Sequence, residues 1–223
     1  MTPEQIAAMF TASDGAFFCA RWGRPIVPVV FGVDDATLSV IKGAIEAVVT
    51  LAGHKMAETD PELGANLMLF FCRDWAELAE VPGLDRLVLD LAPLVDRLMA
   101  AKANQYRFFR FDPDGAVKAC FAFLRMDPAL AAMPAETLAL DQAVRAILPW
   151  GPEAFRATSP LALAKGVAVL RPEIAAVIRA AYDPVLPAAA TDASHALRLF
   201  ARAGADGAGT AAATQTQQGG GRS

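Results

Sequence analysis

Apolar positions at Leu38, Ile41, Ile45, Val48, Val49 and Ala52 recur every three to four residues and predict an amphipathic helix, capped by Asp34-Asp35 and stopped at Gly53. A second stripe, Leu84, Leu87, Val88, Leu91, Leu94, Val95 and Leu98, predicts another helix, kinked or restarted near Pro93. Between the two stripes the pattern changes. Ala65 to Cys72 is an unbroken apolar run of strand length, as expected of a strand covered on both faces. Ala16 to Trp22 and Ile26 to Val33 read as strands separated by Gly23-Arg24-Pro25, and Pro28, which cannot donate to a ladder, puts its strand at an edge or a bulge. Strand, helix and strand together make a βαβ-like unit. Tyr106 to Phe111 and Ala116 to Leu124, joined by Asp112-Pro113-Asp114-Gly115, predict a hairpin.

Thr2-Pro3-Glu4-Gln5 has the spacing of a capping box with a first-turn proline, so a short helix opens the chain. Beyond Pro128 the pattern predicts helices near 134–148, 152–165, 172–182 and 192–203, punctuated by Pro160, Pro172 and Gly204. From 205 to 223 Ala, Gly, Thr and Gln dominate without periodicity, which predicts a disordered tail behind a single domain over 1–204. Strands and helices that intermix early, followed by a helical C-terminal block, predict an α+β fold: a mixed β-sheet with helices packed on one face.

Composition narrows the function classes. A chain of 223 residues, 55% hydrophobic, buries a large core. Its net charge of -4 disfavours broad binding to nucleic acid, which needs a basic surface. The longest uncharged runs are about half the roughly twenty residues of a membrane span. Met1 to Phe10 carries Glu4 and no cation, unlike a signal peptide, so a cytoplasmic location is expected. Fifteen arginines against five lysines, with abundant alanine, read as the codon bias of a GC-rich bacterial genome. Three cysteines, an odd number, argue against a disulfide framework.

Phe17-Phe18-Cys19-Ala20-Arg21-Trp22 returns as Phe70-Phe71-Cys72-Arg73-Asp74-Trp75. One reading gathers Cys19, Cys72 and Cys120 around zinc, with His54 or His195 as fourth ligand. The other, preferred because no CxxC spacing is present, buries each thiol as a small hydrophobe, the two copies being strands that solve the same packing problem. His54 follows Gly53, where a cation complements the helix dipole. His195 lies in the last predicted helix, in a structural or exposed position. Asp141 and Gln142 sit in the middle of a helix, with Asp141 four residues before Arg145 as in a surface ion pair. No phosphate-binding loop, dinucleotide fingerprint, GxSxG, HExxH or kinase signature occurs.

Arg21-Trp22 with Pro25-Ile26-Val27-Pro28-Val29, then Gly64-Ala65-Asn66-Leu67-Met68-Leu69-Phe70-Phe71, a late hairpin, and Arg171-Pro172-Glu173 leading to Ala181-Tyr182-Asp183-Pro184-Val185-Leu186 resemble an uncharacterised proteobacterial family, domain of unknown function 2927. Several of its members are secreted lipoproteins. The resemblance implies a zincin-like layout, a mixed sheet followed by a helix where metal ligands would sit. This chain departs from it: the helix over 136–148 carries Asp141-Gln142 where a zincin needs two histidines and a glutamate. The expected function is therefore non-catalytic binding of a protein partner, with no metal or cofactor assigned. The rival is a hydrolase, metal-dependent or not, assembled from the dispersed residues His54, Asp141 and His195, with or without a cysteine. A thiol sensor is a third possibility.

Overall fold

The computed structural model describes residues 1–204, so the tail expected over 205–223 lies outside the described residues. In chain order the elements are α1 (Pro3–Ala8), β1 (Cys19–Ala20), β2 (Pro28–Phe31), α2 (Asp35–Leu51), β3 (Leu67–Cys72), a 3-10 helix (Trp75–Glu80), α3 (Leu84–Leu87) and α4 (Leu91–Ala100). They continue with β4 (Gln105–Phe111), β5 (Val117–Arg125), α5 (Pro128–Ala131), α6 (Ala135–Ile147), β6 (Leu161–Ala164), β7 (Val167–Leu170), α7 (Pro172–Ala181) and β8 (Ala189–Ala190). A last helix, α8, runs from residue 195 through 204.

The fold is α+β around a four-stranded mixed sheet of order β2-β3-β5-β4. β2, α2 and β3 form the expected parallel βαβ unit, and β4 and β5 the expected antiparallel hairpin. Pro28 opens β2 at the sheet's edge, where its missing N–H costs nothing. Gly32 ends that strand at φ +82, and a Cβ there would lie 2.0 Å from the Phe71 carbonyl oxygen, so only glycine lets the two chains close up.

Alternation along β3 and β5 feeds two cores, not one. Leu67, Leu69, Cys120, Ala122 and Leu124 face α2, α6 and α7. Met68, Phe70, Cys72, Ala119, Phe121 and Phe123 face the 3-10 helix, α3 and α4. Helices thus cover both faces of the sheet, where the sequence pattern had put them on one. The second stripe, broken at Asp90 (φ 56) into α3 and α4, supplies the other cover. Phe31, Phe70, Phe123, Phe108 and Phe121 carry a ladder of near-parallel rings across all four strands of this second face, with the Phe31–Phe70, Phe70–Phe123 and Phe108–Phe121 centroids 4.7, 5.0 and 4.8 Å apart.

Two further expectations are corrected. Ala16–Trp22 is extended, but only Cys19–Ala20 forms a named strand, paired with Ala189–Ala190 of β8. The helix expected over 152–165 does not form: Gly151-Pro152 and Pro160 interrupt it, and β6 and β7 make a hairpin instead. Its two-residue turn is Lys165-Gly166, both at positive φ, as a hairpin that follows strand twist requires.

α6 ends without a glycine cap. Leu148 precedes Pro149 and is extended, φ -140 and ψ 151. The carbonyls left over at the helix end find donors elsewhere: Trp150 Nε1 donates to Val144 O (2.8 Å), Trp22 Nε1 to Ala146 O (3.0 Å) and the Tyr182 hydroxyl to Ile147 O (3.0 Å). Arg21 closes α7 in the same way, its Nη1 donating to Ala181 O and Asp183 O. In the second copy of the hexapeptide Trp75 Nε1 donates to Ala103 O at 2.9 Å, just past the end of α4. Both copies therefore place an apolar extended segment and then an indole that satisfies a carbonyl at a helix end, in the last turn of α6 for Trp22 and just past α4 for Trp75.

Tyr182→Phe leaves the Ile147 carbonyl without its donor and should cost about 1–2 kcal/mol. The urea midpoint is expected to fall with an unchanged m-value, and an unchanged midpoint would show that the hydroxyl does not cap α6.

Candidate functional site

The structure buries the three thiols separately. Cys19 and Cys120 belong to the core on one side of the sheet and Cys72 to the core on the other. Burial pushes Cys19 and Cys120 up to about 12, against the pull of Arg21 and Arg107 respectively. Burial, helped by Glu77 and Asp74, pushes Cys72 up to about 11. Thiolates are therefore scarce at neutral pH. Iodoacetamide at neutral pH should leave all three unmodified in the native protein and label all three in urea; rapid native labelling of any one would contradict this burial.

His54 is half-buried, and its Nε2–H donates to the Arg24 carbonyl at 2.9 Å while its ring packs on Tyr182 at 5.2 Å. Burial lowers its pKa, and Arg21 and Lys55 lower it further, the Arg24 carbonyl alone opposing them. The ring is thus a neutral hydrogen-bonding group rather than the dipole-complementing cation expected after Gly53. His195 opens α8, is 5% exposed, and lies 6.5 Å from the Phe17 ring, with Nδ1 buried and unpartnered. Burial, Arg198 and Arg21 lower its pKa. Among the described residues no hydrogen bond, ion pair or ring contact joins any two of His54, Asp141 and His195. No group of three or more His, Cys, Asp and Glu among those residues is placed to hold a metal.

Asp141 and Gln142 do form a site, though not the surface pair their spacing suggested. Asp141 is 7% and Gln142 1% exposed, because this flank of α6 lies over β4, the outer strand of the sheet, and meets polar side chains there. Arg145 Nε donates to Asp141 Oδ2 at 2.7 Å. The Gln142 amide donates to Gln105 Oε1 (2.8 Å) and Asp141 Oδ2 (3.1 Å), and its oxygen accepts from Arg107 Nη2. Gln105 and Arg107 were missed in the sequence. The signal for them was an arginine at an alternate position of a strand otherwise rich in phenylalanine, where one face had to be covered. Arg107, Arg145, Phe109, Trp150, Gly151, Pro152 and Phe155 line a cleft of about 230 Å³ beside this row.

A second charged cluster is structural. Arg24 meets Asp112 (3.0 Å), Glu62 (3.2 Å) and Asp60 (3.4 Å). Burial alone would raise the Asp60 pKa, but the Leu63 and Glu62 N–H groups, the Asn66 amide and Arg24 outweigh it and hold the carboxyl below its usual range. Asn66 is fully buried and binds Val27 N, Pro25 O and Asp60, which fixes the loop entering β3. At the carboxyl ends of β2 and β3, where open sheets commonly hold ligands, an apolar cleft of about 340 Å³ remains, but Asp34, its one charged residue, is already capping α2 through Thr37 N.

A further exposed apolar feature is the β6–β7 hairpin. All eight strand residues, Leu161-Ala162-Leu163-Ala164 and Val167-Ala168-Val169-Leu170, are apolar. Cross-strand pairing puts Leu161, Leu163, Ala168 and Leu170 on one face, anchored in the core by buried Leu161, and Ala162, Ala164, Val167 and Val169 on the other. Leu163 is 78% and Val167 64% exposed. An antiparallel pair with one wet face should alternate with polar residues, and this one does not.

The chain matches no family model, no curated protein and no solved structure. No helix among the described residues is long and apolar enough to cross a membrane.

Both histidines have folded-state pKa values below the unfolded value of about 6.5, so below that pH the unfolded chain binds more protons. Stability should therefore be level above about pH 7 and fall as the pH drops from there towards 5. His195→Gln should flatten the slope, and denaturation curves showing the wild-type slope in that variant would contradict the assignment.

Proposed function

We propose that the chain is a non-catalytic, cytoplasmic bacterial protein that binds a partner protein through the β6–β7 hairpin, which receives an extended, apolar segment of the partner. The observation that carries the reading is the hairpin's all-apolar strand composition with Leu163 and Val167 open to solvent. A two-stranded sheet is marginal by itself in water, and each of its strands has an unpaired outer edge. An added strand satisfies that edge through main-chain hydrogen bonds, and its alternate side chains cover the apolar face. A groove of about 560 Å³ lined by Met9, Phe155, Ser159, Arg171 and Ile174 adjoins the open end of the hairpin, with room for side chains of the same segment. Three buried, unpaired cysteines suit a reducing compartment.

Photo-crosslinking in the native cell tests this. A crosslinking amino acid at position 163 should give one discrete adduct with another protein, and Val167→Lys with Val169→Lys should abolish it. The same amino acid at Leu89, 82% exposed and far along the chain in the α3–α4 connection, should give none. An equal yield at both positions, no adduct at 163, or an adduct of the chain with itself would each overturn the reading.

A further inference from the structure

We propose that the cleft between β4, the end of α6 and the 150–155 segment is a binding site for a small oxyanion, a carboxylate or a phosphate. Two guanidinium side chains, Arg107 and Arg145, line it, and one carboxylate, Asp141, is bonded to Arg145 alone. Asp141 is engaged by Arg145 and by the Gln142 amide. Arg107's own hydrogen-bond partners are neutral, the Gln142 amide oxygen and the Cys120 thiol, which burial keeps protonated; Asp141 acts on it only through space, and the like charge of Arg145 opposes that. Its Nε is buried and has no hydrogen-bond partner. A cation drawn out of water with no carboxylate bonded to it, and a second cation beside it, gains from a counter-charge placed against it. A bound oxyanion supplies that charge and accepts from both guanidinium groups.

The surroundings hold the donors in place before a ligand binds. Gln142 is itself fixed by Gln105 and Asp141, and so orients Arg107. Asp141 fixes Arg145, whose guanidinium also sits over the Phe155 ring at 5.2 Å. Little order remains to be imposed on binding. The Trp150 N–H is committed to Val144 O, so Trp150 offers the cleft a ring and no donor. Gly151 holds the wall close: a Cβ there would lie 2.5 Å from the Thr11 carbonyl oxygen, so any side chain would push the segment away from the backbone that follows α1. A cleft of about 230 Å³ has room for phosphate or a short carboxylate.

Titration of the full chain, followed by tryptophan fluorescence, tests the site: inorganic phosphate in one arm, propionate in the other, and sodium chloride at matched ionic strength as reference. A saturable response in the phosphate or propionate arm, absent with chloride, is expected, and the arm that saturates identifies which oxyanion the cleft takes. Arg107→Gln should weaken it by about tenfold or more, the loss of one charge-assisted hydrogen bond. Should that variant not fold, Arg145→Lys, which keeps the charge beside Asp141 but loses the planar fork, should weaken it as well. No saturation in either arm, or wild-type affinity in whichever variant folds, overturns the proposal.

Discussion

Because Pro149 stops α6 with no glycine to turn the chain back, the carbonyls of Val144, Ala146 and Ile147 depend on donors from three other parts of the chain. Trp22 comes from the amino-terminal segment, Trp150 from the loop that follows, and Tyr182 from the end of α7. Each unmet carbonyl would cost about 1–3 kcal/mol, a sizeable share of the 5–15 kcal/mol that stabilises a typical domain. The same contacts fix the topology. Trp22 ties β1 to α6, Tyr182 ties α7 to α6 and also meets the Trp22 amide, and Arg21 closes α7 on β1. Residues more than a hundred positions apart thus converge on one helix end.

That helix end also sets out the surface. Trp150, held to Val144, forms a wall of the arginine cleft and stacks on Phe10 at 5.1 Å and against Phe155 at 5.0 Å. Beyond Phe155 the chain forms the β6–β7 hairpin, which touches the core through Leu161, Ala168 and Leu170, before returning as α7. The hairpin is therefore an excursion between two anchored helices, free to carry apolar residues into solvent without disturbing the core. The polar row of α6 is buried for a different reason: β4, the outer strand, lies beneath it and answers Gln142 with Gln105 and Arg107, while Asp141 is held by Arg145 and the Gln142 amide.

Much of the sheet was legible because local pattern and tertiary role agreed. The Asp34 cap and stripe gave α2, the apolar run gave β3, and the proline–glycine loop gave the β4–β5 hairpin. Elements failed to read where a distant partner decided the outcome. The helix expected over 152–165 overlaps β6, although Lys165-Gly166 between two apolar runs is a turn signal. The burial of Asp141 was invisible because an i,i+4 pair looks the same whether water or a strand covers it. The indole and phenol donors at the end of α6 could not be read at all, since nothing in one dimension brings Trp22 and Tyr182 to the same carbonyl row.

Native-state hydrogen exchange resolved by residue tests most directly the claim that a fixed α6 carries a loosely held hairpin. Amides of α6 from Leu138 to Ile147 should exchange only through global unfolding, and those of β6 and β7 through local opening at far lower free energy. Protection of the hairpin equal to that of α6, or early exchange at the end of α6, would contradict the account.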